Sequence, residues 1–487
     1  MAITFEYVDV KDVGLTIDKF VNEKKFDALE SYLKPLQTFV NSCQEPLKYV
    51  LFYYIGTGYS ELFNCYLQKN DHLRSREFKE LSFKYFRESI SLIEENNSLA
   101  ASHVEVMIYI NYGLGLLSCG RVIEAIRVLR IALIHNPEFG MAQANYGYSL
   151  NHYARLCNNA NDRKILNHYA NVYMKKALSL NDPNMYPEAR EVFQKLSNEY
   201  DREVENYLNN LKRGKNLGRS KKEQLYRKWC LQNHLFLTPL NDLIEVDCCD
   251  ATDPLTIAQC IDEIGVEPPR WFAMLNQLKE EYIYLRYLYF ESLDSKKRPH
   301  FADKGVAIAF ASYDYASYSI RLEQLKMCFK NLFSIFDQVA FVVNSYWNLG
   351  LKTDFVSASR VFKNPDRFQE NFALMGLYWS YREFREKYAN SSKAYEGDLK
   401  ELRNALEHRF VKVTNSYQNS KSLIKNNNFD VIEEMLLRKY TLRLLQLTRE
   451  WIINLVYAIH LEEKNKPFHS DKYLDIAVND FPDNLKL

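Results

Sequence analysis

Glycine and proline are scarce in this chain of 487 residues, which contains 15 and 13 of them. Sheet-rich proteins need many turn residues, so this scarcity favours an all-α fold. The chain has no run of about 18 apolar residues, and we therefore predict no membrane span. Its first residues, MAITFEYVDVKDVG, lack a basic segment followed by an apolar one, so we expect no signal peptide.

An excess of one charge and a metal-binding cysteine pattern are missing as well. The chain has 63 basic and 62 acidic residues, so an RNA site would have to depend on a local basic patch. None of the nine cysteines forms a C-x-x-C pair, and the adjacent Cys248 and Cys249 make a poor metal clamp. We therefore expect a reduced, cytoplasmic protein without a metal or another cofactor.

The first 200 residues have the pattern of helical hairpins. Their clearest unit runs from Val106 to Phe139 and has the spacing of a tetratricopeptide repeat, with Tyr109, Tyr112, Gly113, Leu116, Gly120, Ala125, Leu129, Ala132 and Pro137 at the marker positions. A second unit repeats Asn-Tyr-Gly at 145–147, and we place its roughly eleven extra residues in a loop near 158–164. A degenerate earlier copy passes through Gly58, Ser82, Phe86 and Ser89. Residues 1–200 are thus predicted to form a tetratricopeptide-like α-solenoid with a concave binding face.

The remainder of the chain divides into two predicted parts. Residues 201–305 are expected to be a basic linker and helical connecting region, with an amphipathic helix at 271–292 and five cations that are candidates for RNA backbone contact, Lys212, Arg213, Arg219, Lys221 and Lys222. Residues 306–487 are expected to hold a four-helix bundle with helices at about 316–348, 370–388, 395–414 and 428–463.

The pattern of Arg, four to six residues and His occurs four times, as Arg130/His135, Arg163/His168, Arg227/His234 and Arg403/His408. For the first three pairs we predict structural roles, because they lie among repeat positions, beside the inserted loop or amid apolar residues. The last pair lies on a helix whose predicted core stripe is Leu399, Leu402, Leu406, Phe410 and Val413. His408 is about 200° around the helix from Leu406, so it should face outward together with Asn404, while Arg403 lies at the edge of the stripe.

The segment Arg403-Asn404-Ala-Leu-Glu-His408 resembles the R-x4–6-H signature of the HEPN superfamily, many of whose members are metal-independent ribonucleases. The blocks YRKWCLQNHLFLTPLNDL, MLNQLKEEYIYLRYLYFES, the segment 313–346 and GLYWSYREF are similar to a prokaryotic branch with N-terminal tetratricopeptide repeats and a C-terminal HEPN domain. This resemblance covers about residues 220–463. Some HEPN toxins are controlled at a tyrosine two residues after the histidine, where this chain has Phe410, which lacks a hydroxyl.

The resemblance implies an endoribonuclease in which the RNA 2′-OH attacks the adjacent phosphate and leaves a 2′,3′-cyclic phosphate. His408 would move the proton, Arg403 would neutralise the charge on the phosphate, and Asn404 would orient either His408 or the phosphate. Glu407 either holds the Arg403 guanidinium or forms an ordinary surface pair with it. Arg409 and Lys412 are candidates for gripping flanking phosphates, although solvated helix charges are the simpler interpretation.

One histidine is an incomplete acid–base set, so the resemblance also implies a homodimer with a composite site. The repeats would sense a protein or peptide trigger, and the implied setting is anti-phage defence or a toxin-like growth arrest. The alternative is a helical scaffold that binds a partner through its repeats and whose HEPN domain only dimerises or binds nucleotide.

Overall fold

Helices make up most of the described chain, and the predicted all-α class is confirmed. The computed structural model describes residues 10–44, 47–96, 102–197, 217–261, 270–293, 301–307, 316–384, 397–415, 423–425, 429–467 and 473–475, apart from positions 181, 184, 246–248, 250 and 258. These residues fall into two compact units. The first lies within Met1–His152 and Asn167–Tyr200, and the second within Tyr153–Leu166, Asp201–Phe384 and Glu396–Leu487.

The N-terminal helices follow one another as hairpins, as expected for an α-solenoid. Their bounds are α1 Val10–Asn22, α2 Phe26–Phe39, α3 Leu47–Gln68, α4 His72–Asn96, α5 His103–Leu117, α6 Val122–His135, α7 Gly140–Leu156, α8 Ala160–Ser179 and α9 Pro187–Leu196. A capping box begins α5, since the Ser102 side chain accepts from the Glu105 backbone and the Glu105 side chain accepts from the Ser102 backbone. The assignment of these hairpins to the tetratricopeptide family stays a prediction.

Small residues set the distance between the paired helices, as their spacing predicted. A Cβ added to Gly113 on α5 would lie 2.8 Å from the Leu129 side chain of α6, and one added to Gly147 on α7 would lie 2.7 Å from the Ala170 carbonyl oxygen of α8. Neither site has room for a methyl group. The predicted inserted loop near 158–164 is wrong, because α7 extends to Leu156 and α8 begins at Ala160. The extra residues lengthen the two helices, which adds backbone hydrogen bonds that a loop would have left to solvent.

The second unit contains the remaining helices and four short strands. Its helices are α10 Lys221–Gln232, α11 Arg270–Ser292, α12 Ile320–Tyr346, α13 Ala358–Val361, α14 Phe372–Arg382, α15 Gly397–His408 and α16 Glu434–Asn465. The strands are β1 Gln259–Ile261, β2 Val411–Thr414, β3 Asp430–Glu433 and β4 Tyr473–Asp475. β1 pairs antiparallel with β4, and β2 pairs parallel with β3 in a register that puts Val411 opposite Asp430.

The bundle of the second unit forms around α16, whose residues from Leu444 to Ile459 are almost all buried. Helices α11, α12 and α14 pack on α16, and α15 packs on α12. Trp451 is fully buried and donates to the Ser380 hydroxyl at 2.8 Å, with the Phe336 ring 4.6 Å away. The predicted bundle is confirmed, with α11 as an additional member. The predicted domain boundaries at residues 200 and 305 stay predictions.

Two predicted helices have different ends from those expected. The helix predicted at 395–414 ends at His408, and Val411–Thr414 is a strand. The helix predicted at 428–463 begins only at Glu434, after the strand Asp430–Glu433. Both strands are rich in β-branched residues, which suit an extended backbone better than a helix. Within the described ranges, each helix is too short or too polar to span a bilayer.

Candidate functional site

Helix α15 carries the Arg403–His408 motif at its C-terminal end. Leu399, Leu402 and Ala405 are buried, and this stripe packs the helix on α12. The predicted core stripe was partly wrong, because Leu406 is only half-buried and Phe410 is 83% exposed. Ala405 takes the central position because a small residue lets two helices approach closely.

The motif residues make direct contacts with one another through Glu407. The Arg403 Nε atom lies 3.0 Å from Glu407 Oε1, and the His408 Nε2 atom lies 3.7 Å from Glu407 Oε2. The Arg403 Nη1 atom also donates to Asn404 Oδ1 at 3.2 Å. Arg403 and Glu407 thus form an i,i+4 pair between partly exposed side chains, which fits both alternatives that the sequence left open. The described contact of Asn404 is with Arg403, and its predicted role in orienting His408 or the phosphate stays a prediction.

His408 is exposed, as the sequence predicted, but for a different reason. Its side chain is 72% exposed, whereas Arg403 is 37% exposed at the rim of the packed face. In a regular helix His408 lies about 60° from the buried Ala405 but about 180° from the buried Leu399, which puts it at the edge of the packed face. It reaches solvent because α15 ends there and the chain leaves as β2. An exposed imidazole beside a carboxylate and a guanidinium is a set of groups able to move a proton next to a bound phosphate.

The two residues predicted to grip flanking phosphates have partners within the protein. The Arg409 Nη1 atom lies 2.9 Å from Oδ2 of Asp430, whose side chain is 0% exposed. The ammonium of Lys412 lies over the Phe429 ring, 5.3 Å from its centre. Arg409 thus ties the end of α15 to strand β3. Contact of either residue with RNA stays a prediction.

A groove of about 500 Å³ runs between α12 and α15 and includes two residues of the motif segment. Arg403 and Glu407 line one wall, and the other wall is a face of α12 formed by Met327, Lys330, Asn331, Ser334, Asp337, Gln338 and Phe341. Its volume lies in the range of small-molecule sites. The groove places the Arg403 guanidinium beside a surface that combines cationic, amide and apolar side chains.

The other three Arg/His pairs have structural surroundings. The His135 ring stacks on Tyr109 at 5.5 Å within the α5/α6 hairpin. The Arg163 guanidinium donates to the Cys157 carbonyl oxygen at 3.2 Å. His234 has a φ of 54° in a turn, where a ring nitrogen contacts the Asn241 carbonyl oxygen. Of the predicted linker cations, Lys212 and Arg213 lie outside the described residues.

Two buried arginines that the sequence analysis missed join Asp242 and Asp253 to helices of the bundle. Arg449 of α16 makes a bidentate pair with Asp242 at 2.7 and 2.9 Å, and Arg286 of α11 makes one with Asp253 at 2.9 and 2.8 Å. Both arginines are 2% exposed or less. Arg449 could have been recognised from the sequence, because it lies inside the apolar run LQLTREWIINLVYAI and a buried arginine needs a paired acid.

Residues 263–462 match the family described as LA2681-like HEPN. The match runs from just before α11 into α16 and contains the whole Arg403–His408 segment, and it supports a C-terminal HEPN domain. No curated protein and no solved structure matches the chain. HEPN proteins are generally associated with nuclease activity or nucleotide binding.

Proposed function

We propose that this protein is a metal-independent endoribonuclease whose active site is built from Arg403, Asn404 and His408. The observation that carries the proposal is the contact chain Arg403–Glu407–His408 at the exposed end of α15, inside the part of the chain that matches a HEPN family. A solvent-facing cluster of this kind contributes little to folding, since exposed ion pairs are worth about 0–1 kcal/mol.

In the proposed reaction, the 2′-OH of the RNA attacks the adjacent phosphorus and the 5′-oxygen leaves. His408 takes the proton from the 2′-OH or supplies one to the leaving oxygen, a role typically worth about 10²–10⁴ in rate. Arg403 stabilises the charge that develops on the phosphate oxygens. The products are a 2′,3′-cyclic phosphate and a 5′-OH. Glu407 and Asn404 hold the Arg403 guanidinium in position through the contacts described above.

A second copy of this chain would complete the acid–base pair. His408 faces solvent, and Phe410, two residues later, exposes 83% of an aromatic side chain. Two other exposed apolar residues flank strand β3 beside it, namely Ile424, which bridges Val431, and Met435, which follows the strand. An apolar surface next to an exposed catalytic histidine suits an isologous interface that brings two such sites together.

The N-terminal hairpins would sense a protein or peptide trigger. A setting in anti-phage defence or toxin-like growth arrest is part of the proposal and follows from the family resemblance alone. The second candidate function is a scaffold that binds a partner through its hairpins and uses the HEPN domain for dimerisation or nucleotide binding. The groove beside Arg403 favours nucleotide binding in this second function, because its volume lies in the range of small-molecule sites.

The deciding experiment is an RNA cleavage assay in EDTA with total tRNA and mRNA, with the product ends mapped. We expect the wild type to cleave and to leave cyclic-phosphate ends, and His408→Ala and Arg403→Ala to lose the activity. Arg360→Ala serves as the control, because it removes an exposed arginine of the same unit outside the groove. RNA cleavage equal in wild type and His408→Ala would refute the catalytic assignment. If no protein cleaves RNA in vitro, growth arrest on overexpression that depends on His408 would still distinguish an enzyme awaiting its trigger from a scaffold.

A further inference from the structure

Five polar side chains line the α12 wall of the groove between α12 and α15. Its α12 wall follows one helix face from Met327 to Phe341, which is about 21 Å at 1.5 Å per residue. Most polar groups along it have partners. Ser334 and Gln338 donate to Glu281 at 3.3 and 2.7 Å, and the Asp337 carboxylate accepts from the Ala358 backbone at 2.9 Å.

Lys330 and Asn331 differ from these neighbours. Among the described residues, their side chains have no hydrogen-bond or ion-pair partner, although both are half-buried in the groove. Facing them across the groove is Arg403, whose Nε and Nη1 atoms are engaged within the described structure. The acids of the groove, Asp337 and Glu407, are each occupied by a protein donor. Among the described residues of the groove, the polar groups without a protein partner are therefore the Lys330 ammonium and the Asn331 amide, while Asp337 and Glu407 keep their negative charges beside them.

We propose that this groove binds single-stranded RNA next to the scissile phosphate, with Lys330 holding a backbone phosphate of the neighbouring nucleotide. This inference rests on the ribonuclease function proposed above and gives that site its substrate-binding surface. Asn331, which offers both a donor and an acceptor, hydrogen-bonds the sugar or base of the same nucleotide. Met327 and Phe341, at the two ends of the groove, offer apolar surface for unstacked bases.

Single-stranded RNA fits these observations better than a double helix or a peptide. An open groove about 21 Å long that combines cations, amides and apolar ends matches an extended strand whose bases are unstacked. A duplex would instead present two strands of phosphates to a broad surface. An extended peptide would need unpaired backbone groups along the groove, and the α12 wall is a helix whose backbone is already hydrogen-bonded.

The test measures binding in a protein that cannot cleave. In the His408→Ala background, the affinity for a short fluorescein-labelled RNA of mixed sequence is measured by anisotropy over a range of salt concentrations. Lys330→Met removes the charge and keeps the apolar stem, so the helix is preserved. Lys352→Met is the matched control, because Lys352 is an exposed lysine of the same unit outside the groove. Circular dichroism melting checks that all variants are folded.

We expect Lys330→Met to weaken binding several-fold and to lower the slope of log K against log salt by about 0.7, the contribution of one phosphate contact on a single strand. Lys352→Met should leave the slope unchanged. Equal slopes for the two variants, or no RNA binding up to about 100 μM protein, the weak end of non-specific nucleic-acid affinity, would overturn the inference.

The two proposals fail in different ways. RNA binding that depends on Lys330 in a protein that never cleaves RNA would support the proposed binding groove and refute the proposed ribonuclease activity. RNA cleavage that depends on His408 and Arg403 but does not change in Lys330→Met would support the proposed ribonuclease activity and refute RNA binding in the groove. Capture of a protein partner by the groove would leave RNA affinity unchanged in Lys330→Met, and this outcome also counts against the inference.

Discussion

The ion pair between Arg409 and Asp430 should stabilise the fold, and its removal should cost measurable free energy. Asp430 is 0% exposed, while the Arg409 side chain, 2.9 Å away, is 45% exposed. Breaking a fully buried pair by removing one partner costs about 3–5 kcal/mol. Arg409 is half in solvent, so water can partly replace it, and we expect Arg409→Ala to lower the unfolding free energy by about 1–3 kcal/mol. The change in unfolding free energy is measured by urea denaturation, from the midpoint of the unfolding transition and its m-value.

A second substitution separates the structural role of Arg409 from a role in RNA binding. Asp430→Asn removes the buried charge, so the double variant Arg409→Ala/Asp430→Asn should recover most of the lost stability. If Arg409 acts only by holding the end of α15, cleavage should recover together with stability. If it also grips a phosphate, cleavage should stay low in the stable double variant. Lys352→Ala, at an exposed lysine of the same unit, is the control and should change the stability by less than about 0.5 kcal/mol. Unchanged stability in Arg409→Ala would refute this reasoning.

Three further predictions concern other parts of the protein. Glu407→Gln should release Arg403 and thereby lower the cleavage rate in single-turnover kinetics about tenfold, with little change in substrate affinity or stability. A wild-type cleavage rate in this variant would refute the prediction. If the proposed homodimer forms, Phe410→Asp should dissociate it in sedimentation velocity, whereas Leu15→Asp, at a 67% exposed leucine of the first unit, should not. A dimeric Phe410→Asp would refute the proposed interface. Burial lowers the pKa of Lys79 from 10.5 to about 8. At this site the unfolded state therefore binds more protons between these values, so the destabilisation caused by Lys79, measured as the stability difference between Lys79→Met and the wild type, should shrink from pH 8 to pH 10.5. Lys79→Met should stabilise the protein by about 1–3 kcal/mol at pH 7 after the lost hydrogen bond to Ser118 and the lost contacts with Phe63 and Phe83 are allowed for. A destabilised Lys79→Met would refute it.

The elements that the sequence predicted best are those fixed by local pattern. The α5/α6 hairpin follows from small residues at the helix contact, and Gly113 indeed lies where a methyl group would meet Leu129. The helix predicted at 271–292 is found at Arg270–Ser292, because a long amphipathic run without glycine or proline has few alternatives.

The end of α15 could not be predicted in the same way, because it depends on a distant partner. VKVT at 411–414 is compatible with the last turn of a helix or with a strand, and its pairing with Asp430–Glu433 decides between them. The Arg409–Asp430 ion pair depends on the same pairing, which brings together residues that lie far apart in the sequence. The core stripe predicted from the sequence therefore includes Phe410, a residue that is exposed in the structure.

The charged residues of this domain are of two kinds, which differ in how much their removal should change the stability of the fold. Arg449 and Arg286 are buried and satisfied by paired acids, so their removal would leave uncompensated charge and should destabilise the bundle whether or not it is an enzyme. His408, Arg403 and Lys330 lie at the surface or in a groove, where their truncation should change stability by only a few tenths of a kcal/mol. A scaffold that binds its partner only through the hairpins would tolerate the loss of these three without consequence. Loss of RNA cleavage or binding in variants of unchanged stability is therefore the result that a purely structural interpretation of the α15 cluster does not allow.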